Sequence, residues 1–121
     1  MYLLSNLFSK LQTAQRLQKT DVKVPWSTAT LRFIKLLKRQ HLIRQYYVQD
    51  DKNIAIECYP NTLTQIRQIS KSKKRIYIPA KRIGTLGQKG HIIVLSTSYG
   101  LLTAQEARIL NVGGEILCEI Y

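Results

Sequence analysis

The chain has 121 residues, 45% of them hydrophobic, and its 19 Lys and Arg outnumber 7 Asp and Glu, for a formal net charge of +12. This length allows one or two small domains, and the apolar content argues against intrinsic disorder. The positive charge predicts a polyanionic partner, such as nucleic acid or an anionic membrane surface. Two cysteines and two separated histidines predict neither a disulfide framework nor a metal or cofactor site.

The first 40 residues predict two amphipathic helices on either side of a short strand. Apolar residues recur at helical spacing through the first 19 positions, and residues 22–24 alternate as in a strand. Pro25 ends this strand, and Ser27 or Thr28 can cap the second helix. The basic residues of the second helix are equally consistent with phosphate contact and with plain solvation. They are Arg32, Lys35, Lys38 and Arg39.

The first helix allows two other interpretations. It is basic, amphipathic and free of acids, as mitochondrial presequences are, and its apolar side chains could also lie on a bilayer surface. Packing of the helix on a sheet uses the same side chains and is far more common. We therefore expect a helix that belongs to the mature fold.

Two β-rich runs follow, from Leu42 to Gln49 and from Ile54 to Tyr59, and the polar segment between them predicts a hairpin. Pro60 then ends the second β-rich run. Farther on, Gly84, Gly87 and Gly90 resemble a phosphate-binding loop only loosely. A strand rather than a helix follows them, so we reject nucleotide binding.

Between Arg67 and Lys89 the chain carries eight basic residues, and no acid occurs between Glu57 and Glu106. A charge run is most often simply solvated, but its position between β elements favours contact with an RNA backbone. Tyr77 could stack on a base or ribose, or it could belong to the core. The candidate RNA-binding bases in this run are Lys71, Lys73, Lys74 and Arg75.

The apolar run 92–95 predicts a buried strand, and three consecutive hydroxyl side chains follow it. Thr103 and Glu106 have capping-box spacing, so we expect strand, hydroxyl turn and capped helix in direct succession. Small donors on a rigid turn suit phosphate, ribose or base-edge contacts, although such hydroxyls often only stabilise the turn. The turn residues in question are Ser96, Thr97, Ser98 and Gly100.

The C-terminus predicts a last strand, from Glu115 to Tyr121. Gly113 and Gly114 can stop the preceding helix and permit a close backbone approach. Glu115 can orient a lysine or accept hydrogen bonds from RNA. A capping or pairing role inside the fold is about as consistent with its position.

The sequences STSYGLLTAQEAR and NVGGEILCEIY resemble the signature of family eight of the small-subunit ribosomal proteins. That signature is Ser-Thr-Ser-x-Gly-hydrophobic-Met-Thr-x-x-x-Ala-Arg, then Gly-Gly-Glu and a short terminal strand. The resemblance runs from about Asn6 to Tyr121. The matching positions are Ser96, Thr97, Ser98, Gly100, Thr103, Ala107, Arg108, Gly113, Gly114 and Glu115.

This resemblance implies an α/β (α+β) protein of two small packed subdomains. The N-terminal subdomain, at 1–62, would be α-β-α-β-β, and the C-terminal one, at 63–121, would be mostly β with one short helix. The implied partners are the central domain of small-subunit ribosomal RNA and neighbouring ribosomal proteins, without a cofactor or small-molecule substrate. By the same resemblance, the specific RNA contacts come from Ser96, Thr97, Ser98 and Glu115.

Other functions fit the sequence less well. No nucleophile and base stand in a catalytic arrangement, so we do not expect an enzyme. A regulator that binds RNA or DNA outside the ribosome, such as a messenger repressor, is the alternative, but a helix followed by a hairpin is not a helix-turn-helix.

The departures from the family pattern suggest a divergent lineage. The family often has lysine at Tyr99, methionine at Leu102 and aspartate at Ala104, and it has lysines near Thr28 and Thr30 that this chain lacks. Together with the acid-poor N-terminus, these departures predict a mitochondrial ribosome. A bacterial cytoplasm or a plastid is the alternative location.

Overall fold

The computed structural model describes residues 4–50, 52–59, 65–71, 73–86 and 90–121. The chain divides into two compact units, one within residues 3–64 and one within residues 65–121. The predicted boundary between residues 62 and 63 lies outside the described residues. The structure combines helices with antiparallel sheets, which confirms the predicted α+β class.

The N-terminal unit has the predicted α-β-α-β-β order. Its strands form one antiparallel sheet in the order β1-β3-β2, so the expected hairpin is present as β2 and β3. The elements are α1 (Ser5–Arg16), β1 (Asp21–Pro25), α2 (Thr28–Arg39), β2 (Ile43–Gln49) and β3 (Asn53–Cys58).

Apolar side chains at helical and strand spacing form the core of this unit. Phe8 of α1 and Phe33 of α2 meet edge to face, with ring centroids 5.0 Å apart and an interplanar angle of 61°. Val22 and Val24 are buried, whereas the strand residues between and beside them are exposed. The first helix therefore packs within the unit, as predicted, through the apolar residues that also allowed a membrane interpretation.

The C-terminal unit is mostly β, as predicted. Its sheet has the order β4-β8-β6-β7, and β5 also pairs with β8, so β4 and β5 pair with successive parts of one strand. The elements are β4 (Ile66–Gln68), β5 (Tyr77–Ile78), a 3₁₀ helix (Ala80–Thr85), β6 (Ile92–Thr97), β7 (Gly100–Thr103), α3 (Ala104–Leu110) and β8 (Gly114–Ile120).

The strand β6 is central and buried, but it is longer than the apolar run predicts. Ser96 and Thr97 are strand residues, because Ser96 pairs with Glu115 on one side and with Leu101 on the other. The predicted direct step from turn to helix is therefore wrong, since β7 lies between them. The unit's core cluster consists of Ile83, Ile93, Leu95, Ala104, Ala107 and Ile116.

The predicted capping box at the start of α3 is confirmed. The Thr103 hydroxyl accepts from the Glu106 N–H at 3.2 Å, and the Glu106 carboxylate accepts from the Thr103 N–H at 3.0 Å. On α2 the cap is Ser27, whose hydroxyl accepts from the Thr30 N–H at 3.1 Å. Each cap satisfies a backbone donor that the first helical turn leaves unpaired.

The three described α-helices each end at a left-handed residue that is not glycine. These are Gln18, His41 and Asn111, with φ of 56°, 61° and 56°. After α2, the His41 N–H donates to the Lys38 carbonyl and the Leu42 N–H donates to the Leu37 carbonyl, which is a Schellman motif. Asn111, rather than the predicted Gly113 and Gly114, thus stops α3.

Candidate nucleic-acid interface

The hydroxyl turn joins β6 to β7 through Ser98 and Tyr99. The Thr97 hydroxyl donates to the Gly100 carbonyl at 2.9 Å and accepts from the Tyr99 N–H at 3.1 Å. Gly100 has φ of +100°, whereas neither turn residue has a positive φ. This geometry fits a type I turn followed by a G1 bulge, which explains the glycine. The Thr97 hydroxyl therefore stabilises the turn.

The two serine hydroxyls differ from Thr97 in this respect. Neither Ser96 nor Ser98 takes part in the side-chain hydrogen bonds that close the turn. Ser98 is exposed and Ser96 is half-buried. Of the three predicted hydroxyls, these two are the ones whose hydrogen-bonding capacity the turn leaves for a partner.

Tyr77, Glu115 and Ser96 lie in one row across three adjacent strands. Glu115 on β8 is the direct partner of Tyr77 on β5 and of Ser96 on β6. Directly opposed residues of antiparallel strands share a face, and two strand spacings separate Tyr77 from Ser96 by about 10 Å. Residues distant in the chain thus form one surface.

This row faces away from the core cluster. Leu95 and Ile116, the next pair along β6 and β8, belong to the core, and side chains alternate between the faces of a strand. Tyr77 is 65% exposed, so it is available for stacking rather than part of the core. We call Tyr77, Glu115 and Ser96, together with Ser98 in the adjoining β6–β7 turn, the polar row.

Gly113 and Gly114 allow the backbone to come close to this row. A Cβ atom on Gly114 would overlap the Ser96 carbonyl oxygen, and one on Gly113 would overlap the Ile78 carbonyl oxygen. Neither glycine has a positive φ, so space rather than backbone conformation requires them. This is the close approach that the sequence predicts, and it sets the spacing of β5, β8 and β6.

The basic run forms a tight turn between β4 and β5. Lys71 and Lys74 exchange both backbone hydrogen bonds, at 2.9 and 3.0 Å, and the buried Ser70 hydroxyl accepts from the Ile76 N–H at 2.9 Å. Residue 72 lies outside the described residues. The side chains of Lys71, Lys73, Lys74 and Arg75 are exposed.

Arg67, counted with this run in the sequence, pairs within the fold instead. Its guanidinium lies 2.9 Å from the Glu119 carboxylate, which also lies 2.7 Å from His91 Nδ1. The His91 ring stacks on Tyr121 with centroids 4.8 Å apart. Arg67 is therefore a component of a polar cluster on the sheet, and Lys89 lies outside the described residues.

The basic residues of α2 are exposed in the N-terminal unit. One of them, Lys38, donates to the Arg44 carbonyl at 2.8 Å, which is a contact within the unit. Solvation and phosphate contact both remain consistent with the exposed positions of the other three.

Both cysteines behave as core residues. Burial raises the pKa of the Cys118 thiol, and burial, followed by the nearby Asp21 carboxylate, raises the pKa of the Cys58 thiol. Among the described residues, no three His, Cys, Asp or Glu side chains cluster as a metal site would require. Within the same residues, no helix is long and apolar enough to cross a membrane.

The sequence did not single out Tyr99 as a site residue. Its side chain is 67% exposed at the tip of the hydroxyl turn. The sequence did contain a signal for this exposed position. Thr97 is followed three residues later by Gly100, after an apolar run, and this pattern is typical of a hairpin turn whose two middle residues project into solvent.

Comparisons with known proteins match nearly the whole chain. The family model for ribosomal protein S8 matches residues 3–121. The small ribosomal subunit protein uS8c of Helicosporidium sp. subsp. Simulium jonesii is 32% identical, and the match covers 97% of this chain and 94% of the relative. The uS8 proteins of Mesorhizobium japonicum and Thermus thermophilus are 32% and 30% identical, each over 98% of this chain and 96% of the relative.

The basic α+β fold and these matches define the class of the molecule as a protein of the small ribosomal subunit. Within that class, the chain belongs to the ribosomal protein S8 family. The resemblance described from the sequence is thereby confirmed. Its location in the small subunit of a ribosome, and a part in translation, follow from membership.

Proposed function

We propose that this chain binds a helix in the central domain of small-subunit ribosomal RNA and supports assembly of the subunit. Its role is structural rather than catalytic. The observation that carries the proposal is the polar row, in which Glu115, Ser96 and the exposed Tyr77 ring share one face of the sheet while Ser98 lies in the adjoining turn.

The chemistry of the polar row suits folded RNA better than a regular duplex. The major groove of an A-form helix is too deep and narrow for side chains, so proteins recognise RNA by shape, unstacked bases and 2′-hydroxyls. Ser96 and Ser98 can donate to or accept from a ribose, and Glu115 can accept from a 2′-hydroxyl or an exocyclic amine. Tyr77 offers a ring for stacking.

The basic turn has a different part in the proposal. Lys71, Lys73, Lys74 and Arg75 are exposed on a turn beside β5, the strand that carries Tyr77. Contacts of such side chains with phosphates hold RNA without reading its sequence and are weakened by salt. Recognition therefore comes from the polar row, and attraction comes from the basic turn.

Binding of the purified protein to a central-domain RNA fragment, across a salt series and against an unrelated RNA, tests this division. Ser96→Ala and Ser98→Ala should reduce discrimination between the two RNAs. Lys73→Ala should weaken binding to both and reduce the salt slope by about one. Lys23→Ala, at an exposed position in the N-terminal unit, is the matched control.

Thr97 separates turn chemistry from RNA recognition. Thr97→Ser keeps the hydroxyl that closes the turn and should bind like the parent, whereas Thr97→Ala should lower both stability and discrimination. If Ser96→Ala and Ser98→Ala discriminate between the two RNAs as well as the parent does, the polar row is not the recognition surface. A parent protein that does not prefer the central-domain fragment would exclude the proposed function.

The mitochondrial location stays a prediction from the departures in sequence. Co-sedimentation of the protein with mitochondrial ribosomes, and not with cytosolic ones, is the expected result. Sedimentation with cytosolic ribosomes alone would contradict it.

A further inference from the structure

Tyr99 is an exposed aromatic residue held at a defined position. It lies at the tip of the β6–β7 turn, and its N–H donates to the Thr97 hydroxyl at 3.1 Å. The same hydroxyl donates to the Gly100 carbonyl, so the residues on both sides of Tyr99 are fixed by the turn. The backbone under the ring is therefore ordered before any partner arrives.

The ring itself has little to do within the fold. The Tyr99 side chain is 67% exposed, more than the 65% of Tyr77. Among the described residues, the ring pairs described are Phe8 with Phe33 and His91 with Tyr121, and Tyr99 belongs to neither. An exposed ring on a closed turn does not contribute to a core, so folding alone does not account for it.

We propose that Tyr99 stacks on an unpaired nucleobase of the bound RNA, which makes it an additional recognition residue next to the polar row. This inference rests on the proposed RNA-binding function and adds a ligand subsite to it. The class of ligand is a single base that is splayed out of a helix, as in a bulge or an internal loop.

Three arguments favour a nucleobase as the ligand of the Tyr99 ring. Every base has a π-face, so one ring can bind it without a matching set of hydrogen-bond groups. A tyrosine on an ordered turn loses little conformational entropy on binding, because only two side-chain torsions remain to be fixed. Ser98, the preceding residue, is also exposed and can bond the ribose or phosphate of the same nucleotide.

The charge of the chain points to the same kind of occupant. The formal net charge is +12, and no acid occurs in the sequence between Glu57 and Glu106, a stretch that includes the turn. A polyanion is therefore attracted to the C-terminal unit, which carries most of this stretch and the ring. Once phosphates are held there, an unstacked base can reach the ring.

The test compares Tyr99→Phe, Tyr99→Ala and Tyr99→Lys in binding to the central-domain RNA fragment. Phenylalanine keeps the stacking surface and should bind like the parent, whereas alanine should lower affinity by about fivefold to a hundredfold, the range for one base–aromatic stack. Lysine should also lose affinity while increasing the salt slope by about one. Tyr47→Ala, at a tyrosine that is 48% exposed on β2, is the matched control and should change little.

A spectroscopic readout identifies the base. Unpaired adenines of the fragment are replaced one at a time by 2-aminopurine, whose fluorescence is quenched by stacking. One position should be quenched by the parent and by Tyr99→Phe but not by Tyr99→Ala. Equal affinity and equal quenching for the alanine variant, with normal binding by the parent, overturn this inference alone. Failure of the parent to bind the fragment overturns the proposed function as well.

Discussion

Ser96 on β6 and Glu115 on β8 are direct partners in the antiparallel sheet, although 18 positions separate them along the chain. Tyr77 pairs with the same glutamate from the opposite side. The carboxylate therefore lies between a hydroxyl and an exposed aromatic ring. This relationship turns three isolated sequence candidates into one surface.

Glu115 gives a prediction in which the sign of the effect decides between two roles. Glu115→Gln removes a negative charge, so a purely electrostatic effect would strengthen binding to any RNA. If the carboxylate accepts hydrogen bonds from RNA, glutamine keeps one acceptor oxygen but loses the charge that strengthens these bonds. Affinity for the central-domain fragment should then fall, by up to about tenfold. Binding measurements with the cognate fragment and an unrelated RNA distinguish these outcomes.

The control for this prediction is Glu57→Gln, in the N-terminal unit. Glu57 accepts from the Gln45 side chain at 2.8 Å, and glutamine can preserve an oxygen acceptor there. This variant should bind the fragment as tightly as the parent or slightly more tightly. Equal gains in affinity for the two variants would show that Glu115 has no specific contact with RNA.

Gly114 should be intolerant of any side chain. Its Cβ would overlap the Ser96 carbonyl oxygen, and a backbone atom in the middle of a sheet cannot move aside cheaply. Gly114→Ala should therefore lower the free energy of unfolding by about 1–3 kcal/mol, the usual cost of overpacking. Urea denaturation followed by circular dichroism measures this change.

Gly84 is the matched control because a Cβ there meets nothing within 4 Å. Its φ is not in the left-handed region, so Gly84→Ala should leave the free energy of unfolding unchanged or raise it by up to about 1 kcal/mol. A loss of stability as large as that of Gly114→Ala would contradict the steric explanation.

His41 should be a site at which glycine stabilises the protein. Its φ of 61° costs an L-residue about 1–2 kcal/mol of conformational free energy. Glycine avoids this cost, but it loses more backbone entropy on folding, which offsets a part of the gain. We expect His41→Gly to raise the free energy of unfolding by about 0.5–1 kcal/mol. The measurement is urea denaturation at neutral pH.

The neighbouring Gln40 should respond in the opposite direction. Its φ is −87°, which any residue adopts readily, so Gln40→Gly gains no relief of strain. Its free energy of unfolding should fall by about 0.5–1 kcal/mol through backbone entropy. If both variants were destabilised alike, the left-handed conformation of His41 would not be the source of strain.

We expect the buried thiol of Cys118 to lower the free energy of unfolding in alkaline solution. Burial raises the pKa of its thiol above the ordinary value of 9.0, so the folded state keeps the proton after the unfolded state has lost it. Stability is therefore fully present below pH 9.0 and falls above it, by at most about 1.4 kcal/mol per pH unit for this thiol.

Cys118→Ala checks this pH dependence by its slope rather than by its absolute stability. Lysine and tyrosine side chains titrate in the same range in both proteins, and their contribution cancels in the comparison. The free energy of unfolding of the alanine variant should decline less steeply between about pH 8 and pH 10.5. Parallel slopes would contradict the assignment to the thiol.

Local patterns predicted most of the elements of the fold. Apolar residues at helical spacing located α1 and α2, and alternation located β1. Two β-rich runs around a polar segment located the β2–β3 hairpin. The capping box at Thr103 was also predictable, because it depends on two residues in one helical turn. Such features follow from neighbouring residues, which is why sequence alone reveals them.

The predictions failed where distant pairing overrides local composition. Ser96 and Thr97 have the composition of a turn, yet they extend β6. Ser96 pairs with strands on both sides, and Thr97 pairs with Gly100 of β7. Asn111 rather than the glycine pair stops α3, and Gly113 and Gly114 instead permit close contact between strands. The Thr97–Gly100 turn has a local signal, but the pairing of Ser96 with Glu115 and the close approach at Gly114 depend on segments distant in the chain.

The sequence by itself determined the family, the α+β class and the residue types of the candidate site, because motif spacing and periodicity are properties of the linear chain. Only the tertiary structure decided which hydroxyls are available, that Arg67 pairs with Glu119, and that Tyr77, Glu115 and Ser96 share a face. The physical reason is that strand register joins residues tens of positions apart, and register is set by the packing of the whole sheet.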